Sequence, residues 1–409
     1  MPQQPDPQQS VPQQRGPRRP TRASALALVS AFAVGAALAV PGAAFAGDKE
    51  RPHGQGKPRA DVVQHGLDRL VWEDGVPAAL ASVTDRKGRD RDLVAGVGDL
   101  ATGARVPVDG QVRIGSNSKT FVAATVLQLV GEGLIGLDEP IEAYLPGLVR
   151  GDGVDGHDIT VRDLLQHTSG IRSYTDGPPF LQDGVPDLAA ITDWYVEPHE
   201  LLDLALAMPT SGGGKAFAYS NTNYLLAGLI VQKATGRPLA EAITERIIEP
   251  LGLRSTYVPD RGERGIRGPH PHGYFAATAD EELVDVTNLD SSQAWASGDV
   301  VSTPSDLNAF FSALLGGKVL QPAELAQMKT VITPDGLPEG FGYGLGLTST
   351  ALSCGDVAWG HGGAIAGYLT EGGVTDSGRA VTVAVTALDV GQADTTAHLA
   401  ELVDTALCS

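Results

Sequence analysis

The sequence predicts an α/β protein whose sheet is built from both ends of the chain and interrupted by a helical stretch. Two observations carry this: after the leader the chain opens helix, strand, strand, and it closes strand, strand, helix. A third is the change between residues 131 and 273 to short helical periods separated by loops, which reads as an insertion. The expected organisation is a leader over 1–59, sheet segments over 60–130 and 274–409, and a helical region over 131–273.

Met1 to Ala46 reads as a cleaved signal peptide. Four arginines (Arg15, Arg18, Arg19, Arg22) precede an apolar run from Ala23 to Val40 and the small-residue site Ala44-Phe45-Ala46. The run is short for a membrane span and contains Ser24, Ser30 and Gly35, so no stable membrane anchor is expected. Residues 47–59 are polar and Gly/Pro-bearing, the composition of a disordered leader. Cleavage takes the formal charge from −19 to about −22. So acidic a surface argues against nucleic acid or anionic lipid partners and suits a secreted, monomeric, soluble protein. Cys354 and Cys408 are the only cysteines. In an exported chain they are expected to pair, with two unpaired thiols as the alternative, since spacing supplies no geometry.

Ala60 to Trp72 has apolar residues at Val62, Val63, Leu67, Leu70 and Val71, a helical period. Pro77 to Val83 and Leu93 to Val97 read as strands around a charged turn. Gly96-Val-Gly-Asp-Leu-Ala101 mimics a dinucleotide fingerprint, but Thr102-Gly103 follows it instead of a helix, so a hairpin turn is the better reading. Thr120 to Val130, apolar and free of Gly and Pro, predicts a buried helix whose first turn carries Ser116, Asn117, Ser118 and Lys119. Further helices are expected at Val161 to Gln166, Glu200 to Ala207, Asn223 to Ala234 closed by Gly236, Leu239 to Ile248 closed by Pro250, and Leu307 to Leu315 opened by Thr303 and Pro304. Strands at Val357 to Gly360, Tyr368 to Val374 and Ala380 to Ala387 precede a last helix, Ala393 to Leu407.

Three short segments carry candidate chemistry. Ser116 and Lys119, three apart on one helix, place an amine beside a hydroxyl, and the helix N-terminus points N–H groups at the same spot. Ser-x-x-Lys alone is expected about once by chance in a chain this long. Tyr219-Ser220-Asn221 adds a phenol that can shuttle a proton and an amide that can hold a peptide group. Alone it is a helix cap with a packed ring. His361-Gly362-Gly363 follows a strand, where glycines admit a ligand backbone and the N–H of Ala364 can join that of Ser116 in an oxyanion hole.

In this order the three segments resemble the signature of penicillin-recognising serine hydrolases, in the form found in soluble D-alanyl-D-alanine carboxypeptidases and their class C β-lactamase relatives. Further landmarks agree, among them Leu164-Leu-Gln-His-Thr-Ser-Gly170, Pro250-Leu-Gly-Leu253, Gly342-Tyr-Gly-Leu-Gly346 and the C-terminal cysteine pair. The resemblance spans about Val62 to Cys408 and implies a β-lactamase/transpeptidase-like fold, a mainly antiparallel sheet flanked by the terminal helices. It also implies roles: Ser116 as acylated nucleophile, Lys119 and Tyr219 as managers of its proton, Ser116 and Ala364 N–H groups as oxyanion hole. Asn221 would orient the acyl side and His361 would be a polar, even cationic, neighbour of Tyr219. Which of Lys119 and Tyr219 is the acylation base stays open. No cofactor and no metal is implied. The substrates implied are small peptides or esters, with β-lactams among them.

The chain departs from that pattern where such carboxypeptidases grip a terminal carboxylate. Gly362 and Ala364 stand at the hydroxyl positions, and Thr348 stands where an arginine is expected. One neutral donor is a weaker grip than a charge-assisted fork. An exported carboxypeptidase-type hydrolase is therefore the first expectation, an esterase or other amidohydrolase the alternative, and a non-catalytic peptidoglycan-binding protein the reading from another class. His270-Pro-His272 has no third ligand at metal spacing, and His167-Thr-Ser-Gly170 reads as a turn after a short helix.

Overall fold

The computed structural model describes residues 59–210, 215–278, 281–389 and 393–409; the predicted signal peptide and leader lie outside them except for Arg59. Helix α1 (Arg59–Trp72) leads into β1 (Ala78–Thr84) and β2 (Asp90–Gly96), followed by α2 (Ser118–Gly131). The middle of the chain supplies α3 (Val161–Leu165), α4 (Pro198–Leu206) and α5 (Asn221–Thr235). Helix α6 (Pro304–Leu315) precedes β3 (Phe341–Tyr343), β4 (Thr348–Ala351), β5 (Val357–Gly360), β6 (Gly363–Ile365), β7 (Tyr368–Thr375) and β8 (Ala380–Val385), and α7 (Ala393–Cys408) ends the chain.

The sheet runs β3-β4-β5-β7-β8-β1-β2, with β6 pairing β7, and every pairing is antiparallel. The two ends of the sequence meet where β1 pairs β8, Ala79 opposite Val385. Both faces are covered, so β1 alternates between two cores: Ala78 and Leu80 join the large cluster around α2, α5 and α6, while Ala79 and Ala81 join the one under α1 and α7. Asn308 on α6 ties the sheet from beneath, donating to the Ser82 carbonyl at 2.9 Å and accepting from Thr382 at 2.8 Å. A buried amide with both ends satisfied fixes helix against strand at little cost.

Local signals translate directly. Thr303 Oγ1 accepts from Asp306 N–H ahead of Pro304, and Gly236 closes α5 at φ 68°. The hairpin after β2 closes through the Asp99–Ala104 bridge, with Gly103 at φ 70°. Two readings need correction. Ser116 sits on a separate 3-10 turn, Gly115–Asn117, ahead of α2. The helix expected to stop at Pro250 instead runs from Leu239 through a π turn at Thr244–Ile248 and on to Leu251, ending at Gly252 with φ 67°. The wider π turn makes room for a ring that would clash with the carbonyl one α-turn earlier.

Cys354 and Cys408 are bonded, pinning the end of α7 to the turn between β4 and β5 across 54 residues of sequence. Closing a loop of that length restricts the unfolded chain substantially. Replacing both cysteines by alanine is expected to lower stability by about 2–4 kcal/mol in denaturant unfolding while leaving activity below the transition intact. Among the described residues no helix is long and apolar enough to cross a membrane.

Candidate active site

The site is assembled where α2 meets the edge strand β6. Gly115 takes φ 49°, and a Cβ there would lie 2.8 Å from the Ala364 backbone. Only a glycine serves both needs. The residues that follow are each anchored elsewhere. Asn117 Nδ2 donates to Thr370 Oγ1 at 2.8 Å and to the Ile114 carbonyl at 3.1 Å, and Ser118 Oγ accepts from Val300 N–H at 3.1 Å. Ser116 is thus held rigidly, 6 % exposed.

Lys119 is fully buried, and its Nζ reaches Ser116 Oγ at 3.0 Å, Asn221 Oδ1 at 2.7 Å and the Ser297 carbonyl at 2.8 Å. Burial pushes its pKa well below the ordinary lysine value. A neutral amine has two N–H bonds and one lone pair. Asn221 Oδ1 and Ser297 O can only accept, so they take the two N–H bonds and leave the lone pair facing the Ser116 hydroxyl. The same contact orients Asn221: its oxygen faces the lysine and its NH2 group is turned to the adjoining pocket, which it lines.

Tyr219 has its phenol oxygen buried without a well-aligned hydrogen-bond partner. Burial raises its pKa, and the nearby Ser116 hydroxyl offsets this only in part. It is therefore a neutral phenol at rest, able to pass a proton but not to begin as a phenolate base. His361 corrects an expectation. It is 2 % exposed, burial lowers its pKa to about 3, and it is neutral rather than cationic. Its partner is Tyr343, not Tyr219: Tyr343 Oη and His361 Nε2 are 3.1 Å apart.

Behind Tyr219 lies a chain of hydrogen bonds whose direction the backbone fixes. His167 Nδ1 accepts from Ser220 N–H at 3.2 Å, so its proton is on Nε2, which donates to Tyr343 Oη at 3.1 Å. Tyr343 then donates to His361 Nε2, and His361 Nδ1 donates to the Gly362 carbonyl at 2.5 Å. His167, buried and at φ 58°, has its ring 4.1 Å from that of Tyr219. The turn read from its sequence is real, yet the residue also positions the second motif. Its neutrality follows from burial, with Lys119 and His361 pushing the same way. Tyr343 and His167 both sit in segments that the sequence marks as landmarks; Ser297 and Tyr174, which bonds Ser297 Oγ at 3.0 Å, carry no local signal.

Gly363 and Ala364 lie on β6 beside Ser116 as expected, Ala364 at the pocket wall. Thr348 does not. Its hydroxyl donates to the Gly360 carbonyl at 2.9 Å, and it lines a separate small cavity, so its donor is not offered to a ligand beside Ser116. Of the remaining histidines in question, His270 Nδ1 bonds the Gly268 carbonyl and His272 pairs with Asp285, which accounts for both without a metal.

A cavity of about 170 Å³ opens beside Ser116, walled by Tyr174, Phe180, Ile191, Phe275, Ile365 and Leu388; among the described residues no charged side chain lines it. Its geometry rests on β6 lying tight against the Ser116 turn. A Cβ at Gly363 would stand 1.9 Å from the Ile114 carbonyl and 2.8 Å from Asn117 Nδ2. Gly363→Ala must therefore push the strand away, and since an oxyanion donor is worth about 10²–10³ in rate, a loss of at least about 10²-fold in kcat is expected with the fold retained by circular dichroism.

The arrangement is a serine nucleophile with a desolvated lysine and a preformed oxyanion site, the parts an acyl-transfer hydrolase needs. Known proteins agree. The chain is similar to a D-stereospecific amidohydrolase from Streptomyces sp., at 37 % identity and a TM-score of 0.74, covering 83 % of this chain and 97 % of that one. It is similar to the D-amino acid amidase of Ochrobactrum anthropi SV3, at 27 % identity and a TM-score of 0.74 over 85 % and 97 % of the two chains. Penicillin-binding protein 4 of Amycolatopsis lactamdurans is 30 % identical over 346 residues, 77 % of this chain and 86 % of its own. The family model for Beta-lactamase matches residues 59–406, nearly all that the structure describes, and the chain belongs to that family of serine hydrolases.

Proposed function

We propose that this protein is an exported amidohydrolase that acylates Ser116 with amides, esters or short peptides of apolar D-amino acids. The observation that carries the reading is the uncharged, aromatic-walled pocket beside Ser116. It suits an apolar acyl half, and the two relatives named for D-stereospecific amide chemistry supply the stereochemical expectation. In the proposed sequence Lys119 Nζ takes the Ser116 proton as Oγ attacks the carbonyl carbon. The oxyanion is held by the N–H groups of Ser116 and Ala364, and Tyr219 relays the proton to the departing nitrogen or oxygen. Asn221 Nδ2 holds the acyl half. Water then attacks the ester and returns the proton to Ser116, releasing the acid.

A second reading, D-alanyl-D-alanine carboxypeptidase action on peptidoglycan-like peptides, is favoured by the kinship with penicillin-binding protein 4. It has less support in the site, because no arginine or lysine stands where a terminal carboxylate would be gripped and Thr348 spends its donor on Gly360. A panel separates the two: D-phenylalanine amide, an acyl-D-Ala-D-Ala peptide, a p-nitrophenyl ester and a chromogenic cephalosporin, with turnover followed alongside covalent labelling by a fluorescent penicillin or a fluorophosphonate. Amide and ester turnover exceeding that of the D-Ala-D-Ala peptide is expected. The reverse order hands the assignment to the second reading, and no label with no turnover would leave a non-catalytic binding protein.

A further inference from the structure

A substrate carbonyl held at the Ala364 N–H divides the bound molecule in two. One half lies toward Ile365 and Ala366, which continue β6 into the apolar pocket. The other half runs back along the strand edge over Gly362 and His361. Glu371 waits at that end. It follows Thr370, the register partner of Gly363, and a Cβ built on Gly362 would come within 2.7 Å of Glu371 Oε2. The carboxyl thus fills the space that a side chain at position 362 would occupy.

Oε2 is buried there without a hydrogen-bond partner, and the side chain shares a cavity of about 20 Å³ with Thr348 and Gly360. The groups facing it are few. Asp404 on α7 is the other acid lining the cavity, already held by Ser353 N–H at 2.7 Å and Ser353 Oγ at 2.5 Å. Thr348 and Thr350 on β4 are neutral, as is neighbouring His361, and no cation lines the space. Burial without a counter-charge raises Glu371 to about 8, with the Gly372 N–H offsetting part of the cost.

We infer that Glu371 selects the leaving half of the substrate, admitting amide, ester and amine-bearing groups and disfavouring a free carboxylate. The inference rests on the Ser116 acyl-enzyme reading. A carboxylate brought to this edge meets a like charge and no donor to offset it, whereas an amide NH2 or an ammonium meets an acceptor. Because the residue titrates inside the working range, selection sharpens as pH rises: below about 8 the carboxyl is neutral and only fails to help, above it the anion repels.

The test compares D-phenylalanyl-D-alanine with D-phenylalanyl-D-alaninamide, scored by release of D-phenylalanine. The two share an acyl half and an α-amine, so titration of those groups cancels in the ratio of kcat/KM. Wild type is expected to favour the amide by about tenfold at pH 7, the size of a partly screened like-charge contact, and by more at pH 9. In Glu371→Gln the ratio is expected to approach unity and lose its pH dependence. A wild-type ratio that is flat from pH 6.5 to 9.5, a reading that needs no variant, overturns the inference, as does an unchanged ratio in a Glu371→Gln protein that still labels at Ser116. Absence of label in wild type overturns the acyl-enzyme reading as well, so the two failures are distinguishable.

Discussion

Ser116→Ala is expected to abolish covalent labelling by penicillin or fluorophosphonate and to lower kcat by about 10⁶-fold, the loss seen when a hydrolase loses its nucleophile. The substitution is small enough to read cleanly. Lys119 keeps Asn221 Oδ1 and the Ser297 carbonyl as partners, and Asn117 and Ser118 still anchor the turn to Thr370 and Val300. The pocket and Asn221 are untouched, so substrate affinity is expected to stay within about threefold of wild type, a change below 1 kcal/mol. Intact-mass analysis after labelling and single-turnover kinetics check both parts. Labelling of Ser116→Ala at the wild-type level would place the nucleophile elsewhere.

How much of this was legible in the sequence depends on the range of the interaction. The helix starts at Thr303 and Val161, the Gly236 stop and the strand Val357–Gly360 are set by residues within a turn of one another, and each lies where periodicity and capping place it. Ser116 and Lys119 are three apart, so their contact could be read as well. Ser297, which holds Lys119 through its carbonyl, cannot be found this way, because a backbone oxygen 178 residues distant has no side-chain signature. The same is true of Glu371, whose meaning comes from the glycine it faces across two strands. Strand β6 is three residues long and has no period to detect. His361 illustrates a different failure. Its place in the third motif is right, but its charge is decided by burial and by the hydrogen bond from Tyr343, neither of which is written in the motif.

Lys119 carries the second large effect, because the site gives it one job that its charge alone cannot do. Lys119→Arg keeps a cation of similar reach but one that does not deprotonate, and Lys119→Met keeps the volume without the nitrogen. If the lysine serves as the base, both are expected to lose about 10³–10⁴-fold in acylation rate, the range for a positioned general base. If it serves only as a positive charge, arginine retains most of the rate. Tyr219→Phe is the companion measurement: with its phenol held neutral by burial, its loss is expected to be the smaller. Stability should move the opposite way. Burial depresses the Lys119 pKa in the folded chain, so between that value and about 10.5 the unfolded chain binds more protons and stability rises with pH. At neutral pH the wild type carries this desolvation penalty and Lys119→Met does not, so Lys119→Met is expected to melt at a higher temperature than wild type at pH 7, with the gap closing toward pH 10. A variant that loses acylation while gaining stability separates a base kept for chemistry from a residue kept for packing, and loss of both together would assign Lys119 to the core.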